Sequence, residues 1–327
     1  MRRRPAAGRA RAALVAGLAL VSASCASGGG GDAVAGRADP PTTGSTTTAP
    51  PATTSTTNAG PGALVTPRGV VVPVLERVAQ GWRVRTPCGR TATIADGTPM
   101  PGATVVLDPG HGGKEPGARS PNGALEEGPL NLEVSRHAAA ALEAAGVSVV
   151  STRTGPYEVA LATRAEMARS LGPRAFVSIH HNAEPDGPTP GPGTETYYQI
   201  GSGESKRLAG LIQEEVVRAL SAYRVAWVGD RDAGAKYRPG TRGDYYAMLR
   251  LPRPVVSVLA ELAFISNPPE ADLLARPEVQ QVEGQAVARG ILRYLTTGDP
   301  GSGFVEPYPR PDPPGGGGGL PCADPPF

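Results

Sequence analysis

The stretch Ala103-Thr104-Val105-Val106-Leu107-Asp108-Pro109-Gly110-His111-Gly112-Gly113 decides how the rest of the chain is read. Its first half is a short apolar run, and Asp108-Pro109-Gly110 ends the strand that this run predicts. From there the pattern alternates. Residues 130–145 carry apolar side chains at helical spacing and stop at Gly146, a residue suited to the left-handed position after a helix. Residues 147–151 read as a strand, and 161–171 as a helix stopped by Gly172-Pro173. Strands follow at 175–179 and 194–200, a helix at 206–220 and a β-branched strand at 255–259. Helices near 270–275 and 278–295 close the segment. This alternation predicts an α/β fold, with a mixed, largely parallel twisted sheet flanked by helices.

The flanks differ in composition. Of 327 residues, 44 are Gly and 36 are Pro, yet residues 102–297 hold only 38 of these breakers. The boundaries therefore read as a globular domain at 103–297 between breaker-rich ends, with a Pro/Gly-rich tail at 298–327. Upstream, 69–75 and 81–85 are β-rich runs within a small β segment at 63–98, too short to fold alone and expected to dock on the main domain. Residues 26–62 are dominated by Ala, Gly, Ser, Thr and Pro and read as a disordered linker.

Residues 1–25 look like an export signal. Arg2, Arg3, Arg4, Arg9 and Arg11 precede an apolar run from Ala12 to about Ala23. That run falls short of the ~20 residues a membrane span needs. Val21-Ser22-Ala23-Ser24-Cys25 resembles a bacterial lipobox, which would make Cys25 a lipidated mature N-terminus and a membrane tether; ordinary cleavage nearby is the alternative. Removing the signal turns a net charge of +2 into an excess of 30 acidic over 27 basic residues. No basic block is left to follow a phosphate backbone, so nucleic-acid binding lacks its footprint. Export also places the remaining thiols, Cys88 and Cys322, in an oxidising compartment. A disulfide between them would tie the tail back to the β segment, with a free thiol and a loose tail as the alternative.

Histidine is scarce enough to follow residue by residue. His111 stands in the Gly-rich turn after the first strand, and His180 and His181 follow the strand at 175–179. Glu261 comes two residues after the strand at 255–259, and Glu126-Glu127 sits at the entry to the first helix. Sites in open α/β sheets form at the carboxyl ends of strands, so these residues converge on one edge. Two imidazoles and a carboxylate leave a fourth zinc position open for water, and a separate carboxylate can carry its proton. Adjacent His180 and His181 face opposite sides of an extended chain, so the two do not easily point at one site. Glu126 and Glu127 could equally be acids favoured by the helix dipole. His137, inside the first helix, reads as a helix-surface residue. Gly110-His111-Gly112-Gly113-Lys114 is no phosphate loop, because its spacing is too short and Glu115 follows the lysine.

Read as ordered blocks, the chain resembles the zinc-dependent N-acetylmuramoyl-L-alanine amidases, the type 3 amidase family. The blocks are 105–113, then Glu127 with Leu130-Asn131-Leu132, then Ser151-Thr152-Arg153, then 176–182, and last 259–268. The resemblance implies that His111, Glu127 and His180 hold Zn2+ and that Glu261 is the catalytic acid/base. It implies a peptidoglycan substrate, cleaved between N-acetylmuramic acid and L-alanine. His181 stands where the family usually has a small residue and is expected to line the cleft without binding metal. Gly128-Pro129 also departs from the family pattern after the glutamate. Arg153, Arg164 and Arg242-Gly243-Asp244 are candidates for contacts with peptide carboxylates, or else structural. A zinc carboxypeptidase acting on wall peptides and a non-catalytic wall-binding protein are the rival readings. No protein activator is named by the sequence.

Overall fold

A computed structural model describes residues 61–311 and 321–327, all within one unit, Ser55–Phe327. The export signal, Cys25 and nearly all of the linker lie outside the described residues.

The β segment is fuller than its two apolar runs suggest. Strands β1 (Ala63–Val65), β2 (Val71–Val78), β3 (Gly81–Arg85), β4 (Thr91–Ile94) and β5 (Thr98–Met100) form an antiparallel sheet in the order β4-β3-β2-β1-β5. Leu64, Val70, Val72, Val84 and Ile94 give it a small core of its own. On the other face Ala63 and Val71 join a cluster with Ala165, Met167 and Ala168, so the segment is docked as expected.

The α/β part then runs β6 (Val105–Pro109), α1 (Glu127–Ala144), β7 (Val149–Ser151), α2 (Leu161–Leu171), β8 (Ala175–Asn182) and β9 (Gly187–Pro188). It continues through β10 (Glu195–Tyr198), α3 (Gly203–Leu220), β11 (Val228–Gly229), β12 (Ala235–Lys236), β13 (Pro239–Gly240) and β14 (Gly243–Asp244). Helix α4 (Ala247–Arg250), β15 (Ser257–Phe264), α5 (Pro268–Leu274) and α6 (Pro277–Thr296) complete it. The main sheet has the order β12-β10-β15-β8-β6-β7, with β10 antiparallel to β15 and the other neighbours parallel. This is the mixed, largely parallel arrangement that the alternation predicts.

Its strands are buried on both faces. Val105, Leu107, Val177 and Ile179 pack into the cluster with α1, α3 and α6, while Val106, Val150 and Phe176 pack toward α2 and Met248 of α4. Gly284 lets α6 lie close against α1, since a Cβ there would stand 2.5 Å from the Val134 carbonyl oxygen and from His137 Cβ. Pro129 falls in the first turn of α1, where its missing N–H leaves no gap in the helix, so the Gly128-Pro129 departure is accommodated.

Two strands outrun their apolar sequence. β8 continues through His180, His181 and Asn182, and β15 through Glu261 to Phe264, because the two pair in register from Ser257↔Phe176 to Glu261↔His180. Glu261 therefore lies within a strand rather than beyond its end.

The C-terminal tail is part of the fold where it is described. The Ala235 N–H donates to the Gly303 carbonyl at 2.8 Å, and the Val305 N–H to the Ala235 carbonyl at 3.0 Å. Cys88 and Cys322 form a disulfide with a Cα–Cα distance of 5.6 Å. Beside it the Cys88 N–H donates to Asp324 Oδ1 at 2.7 Å, and Arg90 pairs with Asp324 at 2.6 Å. Of the two alternatives the sequence leaves for these thiols, the structure has the disulfide.

Candidate metal centre

Beneath the site lies a buried polar frame. Asp108, at the end of β6, pairs with Arg164 at 2.7 Å and accepts hydrogen bonds from Thr152 at 2.5 Å and Ser178 at 2.7 Å. Arg164 also donates to the carbonyls of Pro109 and His111, each at 2.7 Å. Arg153 donates to the carbonyls of Pro109, Gly110 and Gly128 at 2.9, 2.8 and 2.7 Å. Both guanidiniums are buried and spent on backbone carbonyls and, for Arg164, on Asp108, so neither is a peptide-carboxylate contact. In the 242–244 segment, Asp244 is buried against Arg253 at 2.7 Å and accepts from the Ile200 N–H; Arg242 is exposed.

On this frame the turn after β6 is held in an unusual shape, with His111 at φ 61°, a conformation that is strained for a side chain bearing Cβ. The turn aims the imidazole at the first residue of α1. His111 Nε2 lies 3.0 Å and His180 Nδ1 2.9 Å from Glu127 Oε1. Each of the three residues offers one donor atom, and the three atoms lie within 4.8 Å of one another. The two rings stand edge to face, 4.9 Å apart. The Ala118 N–H holds the other Glu127 oxygen at 2.9 Å. Glu126, by contrast, points away to Arg119. Gly110 is required by close approach: a Cβ would sit 2.1 Å from His180 Cε1.

Electrostatics separate the members. Burial opposes a charged Glu127, but the hydrogen bonds and charges of His111 and His180 overcome it and hold the carboxyl far below the usual range. Burial also pulls against a charged His111, yet its hydrogen bonds to Glu115 and Glu127 lift it to about 9. For His180 burial prevails over the Glu127 interaction, and its affinity for a proton falls. Glu115, 2.5 Å from His111 Nδ1, was not singled out from the sequence as a site residue. Its i, i+4 spacing from His111 was the available signal.

Glu261 stands opposite His180 in the β8–β15 ladder, and opposite Glu195 in the β10–β15 ladder. Its Oε2 is buried without a hydrogen-bond partner. Burial, then the charges of Glu127 and Glu195, raises its pKa well above the ordinary carboxylate value. Sequence reasoning missed Glu195, which Lys236 neutralises at 2.5 Å and which accepts from Tyr197 and Asn182 at 2.7 and 2.9 Å. Glu195, Asp230 and Asp232 form a second cluster of acids, but Lys236 and Arg310 bind into it. That cluster is an ion-pair network.

One expectation fails. His181 does not line the cleft; it is buried on the opposite face of the sheet, between α1 and α6, because neighbouring residues of a strand alternate sides. His137 lies on α1 with its side chain 30% exposed, near Glu133 and away from the cluster.

An α/β sheet carrying two histidines, one buried carboxylate at a helix start and a second carboxylate on the neighbouring strand offers the residue set that metal-assisted hydrolysis uses. Residues 105–293 match the N-acetylmuramoyl-L-alanine amidase family, and the chain belongs to it. Among similar proteins, the uncharacterized protein YqiI of Bacillus subtilis is 37% identical over 219 residues, covering 65% of this chain and 97% of that protein. The amidase LytC of the same organism is 34% identical over 60% of this chain, which spans only 36% of that relative. A crystal structure of N-acetylmuramoyl-L-alanine amidase from Clostridium difficile 630 matches with a TM-score of 0.51 at 30% identity, over 61% of this chain and 99% of that one.

Proposed function

We propose that the protein is an exported, zinc-dependent amidase that hydrolyses the bond between N-acetylmuramic acid and L-alanine in peptidoglycan. The observation that carries this reading is the convergence of His111 Nε2, His180 Nδ1 and Glu127 on one point, with Glu261, whose Oε2 has no hydrogen-bond partner, on the next strand. Two nitrogens and a carboxylate oxygen suit zinc, and three protein ligands leave room for water or substrate. His111, Glu127 and His180 would hold the ion. When bound, it supplies a Lewis acid that polarises the lactyl carbonyl and makes water a better nucleophile near neutral pH.

Glu261 supplies the proton traffic. As water adds to the carbonyl carbon, its proton passes to Glu261; as the C–N bond breaks, that proton passes to the departing alanine amine. A shuttle works best with a pKa near the operating pH, and burial beside other acids moves Glu261 upward in that direction. The family assignment and the amidase relatives support the substrate class.

The test uses purified muropeptide with wild type, with wild type plus chelator, and with Glu261→Gln. Stem peptide should be freed from glycan only by untreated wild type, while Glu261→Gln retains zinc and loses about 10²–10⁴-fold in rate. Undiminished hydrolysis by Glu261→Gln would overturn the mechanism, and release of free D-amino acids would favour the carboxypeptidase reading. Attachment through a lipidated Cys25 is part of the proposal, supported by the lipobox-like sequence before it. Cys25→Ala should move the protein from the membrane to the soluble fraction; unchanged fractionation would remove the tether.

A further inference from the structure

Behind the metal centre lies a chain of buried polar groups that the mechanism does not use. Asn131, one helical turn after Glu127, donates from Nδ2 to Glu127 Oε1 at 3.2 Å and faces the Gly110 carbonyl at 3.5 Å. Its Oδ1 lies 2.7 Å from His181 Nδ1, and His181 Nε2 faces Glu283 Oε2 of α6 at 3.4 Å. The His181 backbone N–H reaches Glu127 Oε1 as well, at 3.2 Å. Asn131, His181 and Glu283 are all buried, with side-chain exposure of 0% for the latter two.

The orientation of Asn131 follows from chemistry. A carboxylate and a carbonyl accept only, so the NH2 group must face Glu127 and Gly110, and the amide oxygen must face His181. That oxygen then needs a donor, and at this buried position His181 Nδ1–H lies within reach. Without it the amide oxygen would be left buried with no donor, and the amide that donates to Glu127 would lose one of the contacts that hold its rotation.

We propose that His181, braced by Glu283 through one proton held between Nε2 and Oε2, is a positioning residue. It locks the Asn131 amide and, through it, the Glu127 carboxylate in the orientation that binds metal. The inference rests on the zinc reading above and concerns how tightly the ion is held. Partners outside the ligand shell that orient ligands typically change metal affinity by about 10–100-fold when removed.

Zinc affinity of the purified full chain can be measured by competition with a coloured chelator, with the thermal midpoint of each metal-free protein recorded beside it. His181→Leu and His181→Ala, two apolar variants in case one does not fold, should each bind zinc about 10–100-fold more weakly than wild type. Asn131→Ala should weaken it comparably, and adding Asn131→Ala to His181→Leu should cost little more, since both break one chain. His181→Asn, whose side-chain N–H can stand near the Nδ1 position, should recover most of the affinity. Wild-type affinity in both apolar variants, or additive losses in the double variant, would overturn the proposal. A wild type that binds no zinc would remove the metal reading itself, and the positioning role with it.

Discussion

At Gly110 the backbone and the candidate metal ligands come within touching distance. Because a Cβ at this position would stand 2.1 Å from the His180 ring, Gly110→Ala must push that ring off its line to Glu127. We expect a loss of at least about tenfold in zinc affinity, the scale on which disturbed ligand geometry is felt; a titration matching wild type would show that the ring has room to move. Residue identities at this site were legible because few histidines had to be placed and three of the four stood in a breaker-rich turn or just beyond a predicted strand. Roles that depend on direction were less so. His181 and His180 are neighbours in the chain, yet the strand sends His180 to Glu127 and His111, and His181 to Asn131 of α1 and Glu283 of α6. Asn131 and Glu195 were present in the sequence without any local mark of where their side chains reach, and Glu115 had only its i, i+4 spacing from His111.

At the scale of elements, the frame around Asp108 couples the end of β6 to α2, β8 and the loop after β7. Burial alone would raise the Asp108 pKa, but the Arg164 charge and the hydrogen bonds of Thr152, Arg164 and Ser178 bring it below its ordinary 3.8. A depressed carboxyl stabilises the fold above its unfolded-state pKa, and that contribution is lost as pH falls through the folded-state value. Asp108→Asn should therefore destabilise the protein by about 3–5 kcal/mol at neutral pH, since it leaves Arg164 buried and unpaired. The gap to wild type should narrow as pH falls below about 4. Denaturant midpoints measured across pH check both parts; a gap independent of pH would show that the charge of Asp108 contributes nothing. Element types were readable from apolar spacing, but the lengths of β8 and β15 were not. His180, His181 and Glu261 look polar locally and join strands only because a partner strand pairs with them.

Over the whole molecule, the Cys88–Cys322 bond closes a loop of 234 residues and fastens the tail to the β segment. Cys88→Ser, or reduction of the wild type, should lower stability by about 2–5 kcal/mol, seen as a lower unfolding midpoint; identical midpoints with and without reductant would mean that the other tail contacts suffice. Zinc should act at the same scale. If the folded state alone assembles His111, Glu127 and His180, zinc at about 1,000 times its dissociation constant should add about 4 kcal/mol of stability. Chelator should reverse the gain, and a midpoint indifferent to both would contradict a site built by folding. No helix among the described residues is long and apolar enough to cross a membrane.

The sequence by itself determined the chemistry that is available: the strand–helix alternation, the breaker-rich turn that carries His111, the spacing of Glu127, His180 and Glu261, and the two thiols that an oxidising compartment would join. These are local signals, carried by residue type and short-range periodicity. Only the tertiary structure decided which groups meet. Arg153 and Arg164 became supports of the turn, His181 a buried neighbour of Asn131, and the tail a strap along β12. The reason is physical: a side chain's partner depends on strand register and helix packing between residues far apart in the chain, and those are set by the burial of the whole core.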